Sequence, residues 1–208
     1  MNTPTNTAEL IRQRIEGMPA GEPFTPAAFL EYGTRASVDQ TLSRLIKAGT
    51  IARVTRGVFV RPEISRFVGN IMPEPIKVAE TIAKTTGAIV QVHGAEAARQ
   101  LELTSQVPTQ PVFSTSGPSK RMLVGKMEIR LQHASPRKLA LAGRPAGLAL
   151  AAMWYLGKNE VTPSLIEKIR QKLSSAEFEV LKLSTSAMPA WMSDAIYKHE
   201  RAGEIARG

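Results

Sequence analysis

The sequence predicts an α+β protein: an N-terminal winged helix-turn-helix followed by a mixed α/β C-terminal domain with a mostly helical end. Three observations predict it. Helical periodicity recurs in three segments up to Ala48, each opened by a capping residue and closed by glycine. An alternating stretch with a glycine turn follows at 51–60. Beyond residue 75, short apolar strands alternate with helical segments and then give way to helices alone. A chain of 208 residues accommodates a small module and a second core. The expected division is a disordered tail at 1–6, the winged helix at 7–62, a linker at 63–75 and the C-terminal domain at 76–208.

Thr7 is placed to cap a helix from Ala8 to about Gly17, with Leu10, Ile11 and Ile15 on one face. Thr25 caps a second short helix with Pro26 at its favoured first position, and Ala28, Phe29 and Tyr32 as its apolar side. Gly33 ends it. Thr34 caps a third helix, Arg35 to Ala48, whose buried stripe is Val38, Leu42, Leu45 and Ile46. At 100° per residue the opposite face carries Ala36, Gln40, Ser43 and Lys47, flanked by Ser37 and Arg44. Asp39 falls at the edge, nearer the stripe. Residues Ile51 to Val60 alternate around Thr55-Arg56-Gly57 and read as a basic-tipped hairpin. Met72-Pro73-Glu74-Pro75 closes the linker.

The C-terminal domain opens with a helix at 76–86, with Val78, Ala79 and Ile82 inward. Ala88–Val92 is a strand, and His93-Gly94 turns into a helix from Ala95 to Leu103. Pro111–Thr115 is a strand, and Met122–Val124 and Glu128–Gln132 form a pair. Helices are expected at 136–142, 145–156, 162–172, 174–183 and 189–199.

Charge is unevenly placed. The net charge is +9, and residues 35–66 and 117–144 hold +5 and +6 while 160–208 balance to zero. Such patches favour a polyanion. On the third helix, Gln40 suits adenine edges and Arg44 guanine edges, while Arg35 and Lys47 suit phosphates. Thr34, Ser37 and Ser43 complete that DNA-binding face. Arg53, Thr55 and Arg56 place the hairpin tip at the minor groove or flanking backbone. The second basic patch is Lys120, Arg121, Lys126, Arg130, Arg137, Lys138 and Arg144. Arg137 and Lys138 would sit in a first helical turn, where the macrodipole disfavours cations. That mismatch points to an external anion.

The stretch Val38-Asp-Gln-Thr-Leu-Ser-Arg-Leu-Ile-Lys-Ala-Gly-Thr-Ile51, followed by Arg53-Val-Thr-Arg-Gly-Val-Phe59, resembles the winged helix of AbiEi-type antitoxins of the AbiE abortive-infection systems. His93-Gly-Ala-Glu-Ala-Ala98, Leu103-Thr-Ser-Gln-Val-Pro108 and Ser114-Thr-Ser-Gly-Pro-Ser119 are similar to the second domain of one branch of that family. The resemblance covers about residues 7–150. It implies an antitoxin that represses its own operon by binding double-stranded promoter DNA. It also implies that an antitoxin-like C-terminal domain counteracts a nucleotidyltransferase-like toxin, whether or not the toxin is bound directly. The competing expectation is a plain transcriptional regulator whose C-terminal domain senses a ligand or oligomerises. Self-association on paired half-sites fits either.

No enzyme is expected, and no catalytic residues, metal or cofactor. The chain has no cysteine, which removes thiol catalysis, disulfides and thiolate metal sites. His93, His133 and His199 lack partners at metal-ligand spacing. His93 reads as a turn or strand-end residue, His133 as a polar or phosphate contact, and His199 as solvated. Ser114-Thr-Ser-Gly-Pro-Ser-Lys120 lacks phosphate-loop spacing, and Gly143-Arg-Pro-Ala-Gly147 is too short for a dinucleotide fingerprint. Trp154, Tyr155 and Trp191 read as packing residues. No apolar run approaches the ~20 residues that span a bilayer, and the first ten residues lack a signal-peptide pattern. The expected location is therefore cytoplasmic.

Overall fold

The computed structural model describes residues 7–65 and 69–205, so the expected tail at 1–6 lies outside the described residues. The chain is α+β. It divides into two compact units, Met1–Ala88 with Arg121–Ile129, and Ile89–Lys120 with Arg130–Gly208.

The first unit opens with α1 (Thr7–Glu16), β1 (Pro23–Phe24) and a 3-10 turn at Pro26–Phe29. It continues with α2 (Arg35–Lys47), β2 (Ala52–Thr55) and β3 (Val58–Val60). The hydroxyl of Thr7 donates to the Tyr32 carbonyl at 2.9 Å, tying α1 to the turn ahead of α2. The expected second helix is only the 3-10 turn. Thr25 makes no capping bond, Pro26 lacks an N–H, and Gly33 arrives too soon for an α-helix to propagate. Ala28 is exposed there, while Pro26 and Phe29 are buried and Tyr32 packs half-buried against the core. The strands form one antiparallel sheet in the order β1-β3-β2. Ile11, Ile15, Phe24, Phe29, Val38, Leu42, Leu45, Ile51 and Phe59 form the core between helices and sheet. Phe24 meets Phe29 edge-on at 5.4 Å between ring centroids.

The segment expected as linker contains a two-stranded antiparallel hairpin, β4 (Glu63–Ser65) and β5 (Gly69–Ile71). The helix expected to open the C-terminal domain, α3 (Pro75–Lys84), belongs to the first unit. Its Thr81 hydroxyl lies 3.4 Å from the Pro23 carbonyl, and Lys77 pairs with Glu22 at 3.8 Å. Val78, Ala79 and Ala83 are buried and Ile82 is half-buried.

The second unit opens with β6 (Val90–Val92), α4 (Gly94–Gln100) and β7 (Val112–Thr115), and shares with the first the hairpin β8 (Lys120–Val124) and β9 (Met127–His133). Then follow α5 (Pro145–Leu156), α6 (Pro163–Lys172), α7 (Ser175–Leu183) and α8 (Ala190–Ile205). The sheet order is β6-β7-β9-β8, with β6 and β7 antiparallel and β7 and β9 parallel. The outer part of the β8–β9 hairpin, Arg121–Ile129, counts with the first unit. Residues 136–142 are turns and not the expected helix. Leu141 takes a positive φ of 63° and Gly143 one of 82°, which stops helical propagation before Pro145 restarts it. The helical core is gathered around α5 from Ala97, Ala98, Leu150, Met153, Ile166, Ile169, Phe178, Leu181 and Met192. No helix among the described residues is long and apolar enough to cross a membrane.

Candidate nucleic-acid interface

The start of α2 is set by Thr34, whose Oγ1 accepts from the Ser37 amide at 3.3 Å. Ser37 returns its hydroxyl to the Thr34 carbonyl at 2.8 Å. These bonds satisfy otherwise orphaned groups and use both hydroxyls locally. Val38, Thr41, Leu42 and Leu45 then fix the rotation of α2 by turning inward. The sequence did not mark Thr41 as buried; its hydroxyl is satisfied by the Ser37 carbonyl at 2.8 Å. With that stripe seated, Arg35, Ala36, Gln40, Ser43, Arg44 and Lys47 are exposed.

The β2–β3 hairpin turns at Arg56-Gly57, where Gly57 has a φ of 77°, a conformation that favours glycine. A bulge between Arg53 and Thr55 leaves Val54 unpaired on β3, and Val54 is buried. Arg53 and Arg56 are exposed and Thr55 is half-buried. The Arg53 guanidinium stacks 5.6 Å from the Phe59 ring centre, which positions a long side chain at low entropic cost.

Helix and hairpin enclose a cleft of about 340 Å³, lined among others by Arg35, Asp39, Ser43, Arg53 and Arg56. Arg35 of α2 and Arg53 and Arg56 of the hairpin thus line one cleft together with Asp39. Arg35 Nε donates to both Asp39 oxygens at 3.0 and 2.9 Å. Asp39, expected beside the core stripe, is exposed and holds Arg35. Gln40, Arg44 and Lys47 do not line the cleft and remain on the open face of α2.

The second basic patch is not one cluster in either unit. Arg121 and Lys126 belong to the first unit, and Lys120, Arg130, Arg137, Lys138 and Arg144 to the second. In the first unit, the Gly125 amide donates to the Val54 carbonyl at 3.1 Å. The hairpin tip bearing exposed Lys126 therefore sits against the Val54 bulge of β2. Sequence periodicity found this hairpin but carried no signal for its docking. Arg121 pairs with Glu128 at 3.8 Å. In the second unit, Arg144 is bound to Glu177 at 2.7 Å. Glu177 also accepts from the Ala146 amide at 2.9 Å and so caps α5 from α7. Arg144, and then that amide, hold the Glu177 carboxyl below its ordinary range. Arg137 donates to the Met188 carbonyl at 2.6 Å. Because 136–142 is not helical, the macrodipole argument for Arg137 and Lys138 falls.

One histidine, His199, differs from expectation, and His93, at the end of β6, gains a capping role. His93 is the N-cap of α4, its Nδ1 accepting from Ala95 N at 3.3 Å. His199 is not solvated: its side chain is 14% exposed and its Nε2 lies 2.7 Å from Glu167. Among the described residues no group of His, Asp or Glu is arranged to hold a metal ion.

A family model described as "Family of unknown function (DUF6088)" matches residues 10–181. No curated protein matches the chain. Among solved structures, the chain is similar to the crystal structure of the RV2827C protein from Mycobacterium tuberculosis. Identity is 16%, coverage is 99% of this chain and 80% of that one, and the TM-score is 0.46.

Proposed function

The chain belongs to this family of unknown function, DUF6088, and from that premise we propose that its first unit is a winged helix-turn-helix that binds double-stranded DNA. The observation that carries the reading is the convergence of Arg35, Arg53 and Arg56 in one cleft beside the polar face of α2. Gln40 and Arg44 are the base-reading candidates, and the arginines of the hairpin meet phosphate or the minor groove. The protein is read as an autorepressing antitoxin, non-enzymatic and cytoplasmic, whose second unit counteracts a nucleotidyltransferase-like toxin. The antitoxin part rests on the sequence resemblance to AbiEi-type proteins.

A single variant separates the two halves of this reading. Arg44→Ala combined with Arg56→Ala is expected to weaken promoter binding by ~1–3 kcal/mol for the base-reading contact, with a shallower salt dependence. Fluorescence anisotropy at several salt concentrations measures it, and intact binding sinks the interface assignment. The same full-length variant, co-expressed with the adjacent gene, is expected still to restore growth. Failure of the wild-type chain to do so leaves a plain regulator. A ligand cleft in the second unit, described next, is the observation that favours this second reading.

A further inference from the structure

A cleft of about 400 Å³ opens within the second unit, away from any residue assigned to DNA. Its floor is polar where a helix-covered sheet face is ordinarily apolar. Gln91, Ser114 and Gln132 stand directly opposite one another across β6, β7 and β9. Ser114 and Gln132 line the cleft, and Gln91, their register partner on β6, is buried beside it and is not a lining residue. Gln91 is only 6% exposed. Its amide donates to the Gly147 carbonyl at 2.6 Å, and its Oε1 has no hydrogen-bond partner among the described residues.

The walls are cationic and aromatic. Because His93 Nδ1 accepts from the Ala95 amide, the neutral ring carries its proton on Nε2, a donor left over at the cleft. Lys138 Nζ lies 5.3 Å from the Trp154 ring centre. The Trp154 indole N–H is buried without a partner. Tyr155, 45% exposed, meets His93 edge-on at 6.0 Å. No carboxylate is among the lining residues. Burial first, then the charges of Lys138 and Arg130, lower the His93 pKa.

We propose that this cleft binds a phosphorylated nucleoside, with the phosphate on Lys138 and the His93 Nε2–H and the base edge on Ser114 and Gln132. A cation with convergent donors selects an anion. A volume near the low end of ligand pockets admits one nucleotide-sized body and not a bare ion alone. Carboxamides present a donor and an acceptor together, as base edges require, and an exposed tyrosine offers a stacking surface. The ligand is either a free mononucleotide or the phosphorylated end of a strand. The inference is independent of the DNA reading, which concerns the other unit.

The test is titration of the full-length protein with AMP, GMP, CMP and UMP, with the four corresponding nucleosides and inorganic phosphate, and with a 5′-phosphorylated dinucleotide. The readout is the two indole N–H signals by NMR, assigned with Trp191→Phe, together with calorimetry. The Trp154 signal is expected to move saturably with at least one mononucleotide while the Trp191 signal stays. Affinity is expected to fall by about tenfold or more when the phosphate is removed from that nucleotide, and again with Lys138→Gln. A response to the dinucleotide alone supports the site and assigns it to strand ends. The proposal is overturned if no phosphorylated probe binds at millimolar concentration. Equal binding of the nucleoside, or binding lost in the Arg44→Ala, Arg56→Ala variant but kept in Lys138→Gln, also overturns it.

Discussion

Two residues show what a side chain's neighbours add to its type. Asp39 is a lone acid among cationic groups, bonded bidentately to Arg35. Both are about half exposed, so the pair is worth little to stability; its consequence is the aim of Arg35. Asp39→Asn is expected to strengthen binding to random-sequence DNA by about 1 kcal/mol through loss of one repulsive charge. Discrimination between promoter and random DNA should fall at the same time. Competition binding measures both, and equal loss on both DNAs would make Asp39 merely structural. His93 carries a second prediction. Its pKa lies below the ordinary 6.5 because burial, and then Lys138 and Arg130, disfavour the cation. Protonation would also remove the acceptor that caps α4. The unfolded chain therefore binds more protons than the folded one below 6.5, so stability is full above that value and declines as pH falls through the folded pKa. His93→Asn keeps a capping side chain without the titration. Its melting temperature should match wild type at neutral pH and drop less on going to about pH 5. An identical drop in both proteins would exclude His93 as the source.

At the scale of elements, the second unit depends on backbones that approach closely. A Cβ on Gly147 would stand 2.0 Å from the Leu141 carbonyl oxygen, and one on Gly94 would stand 2.5 Å from that of Ala151. Neither obstacle is a flexible side-chain end. Gly147→Ala is thus expected to cost about 3 kcal/mol or more. Gly143→Ala, at a positive φ but facing open space, should cost only ~1–2 kcal/mol. Denaturant midpoints compare the two, and similar losses would contradict the close-packing account. The helices α5 to α8 were largely legible from capping residues and apolar spacing. The 136–142 segment was not, because its few apolar residues match a helical period while the backbone reverses at Leu141 and Gly143.

At the scale of the molecule, the unit boundary moves the useful cut points. The expected module ended at residue 62, yet α3 packs its Val78, Ala79 and Ala83 within the first unit. Burial of Val78 alone is worth about 1.5–3 kcal/mol. A fragment of residues 1–88 is expected to melt cooperatively, and one of residues 1–62 to melt far lower or without a transition. Calorimetry on the two fragments decides; equal melting would mean that α3 is dispensable. Residues 1–88 also lack Gly125, whose amide meets the Val54 bulge, so that fragment should still melt below the first unit of the full chain.

The sequence by itself determined the α+β class, the order of most elements and the polar face of α2, because capping and periodicity are local and a buried stripe dictates what faces outward. Only the tertiary structure decided the rest. It brought Arg35, Arg53 and Arg56 to one cleft with Asp39, assigned α3 and the outer part of the β8–β9 hairpin to the first unit, and divided the second basic patch between the two units. It also aligned Gln91, Ser114 and Gln132 into one rung. Those results depend on strand register and on contacts between residues far apart in the chain, which no local pattern encodes. The basic charge that first suggested a polyanion partner was legible from composition; which cations share a surface was a matter of packing.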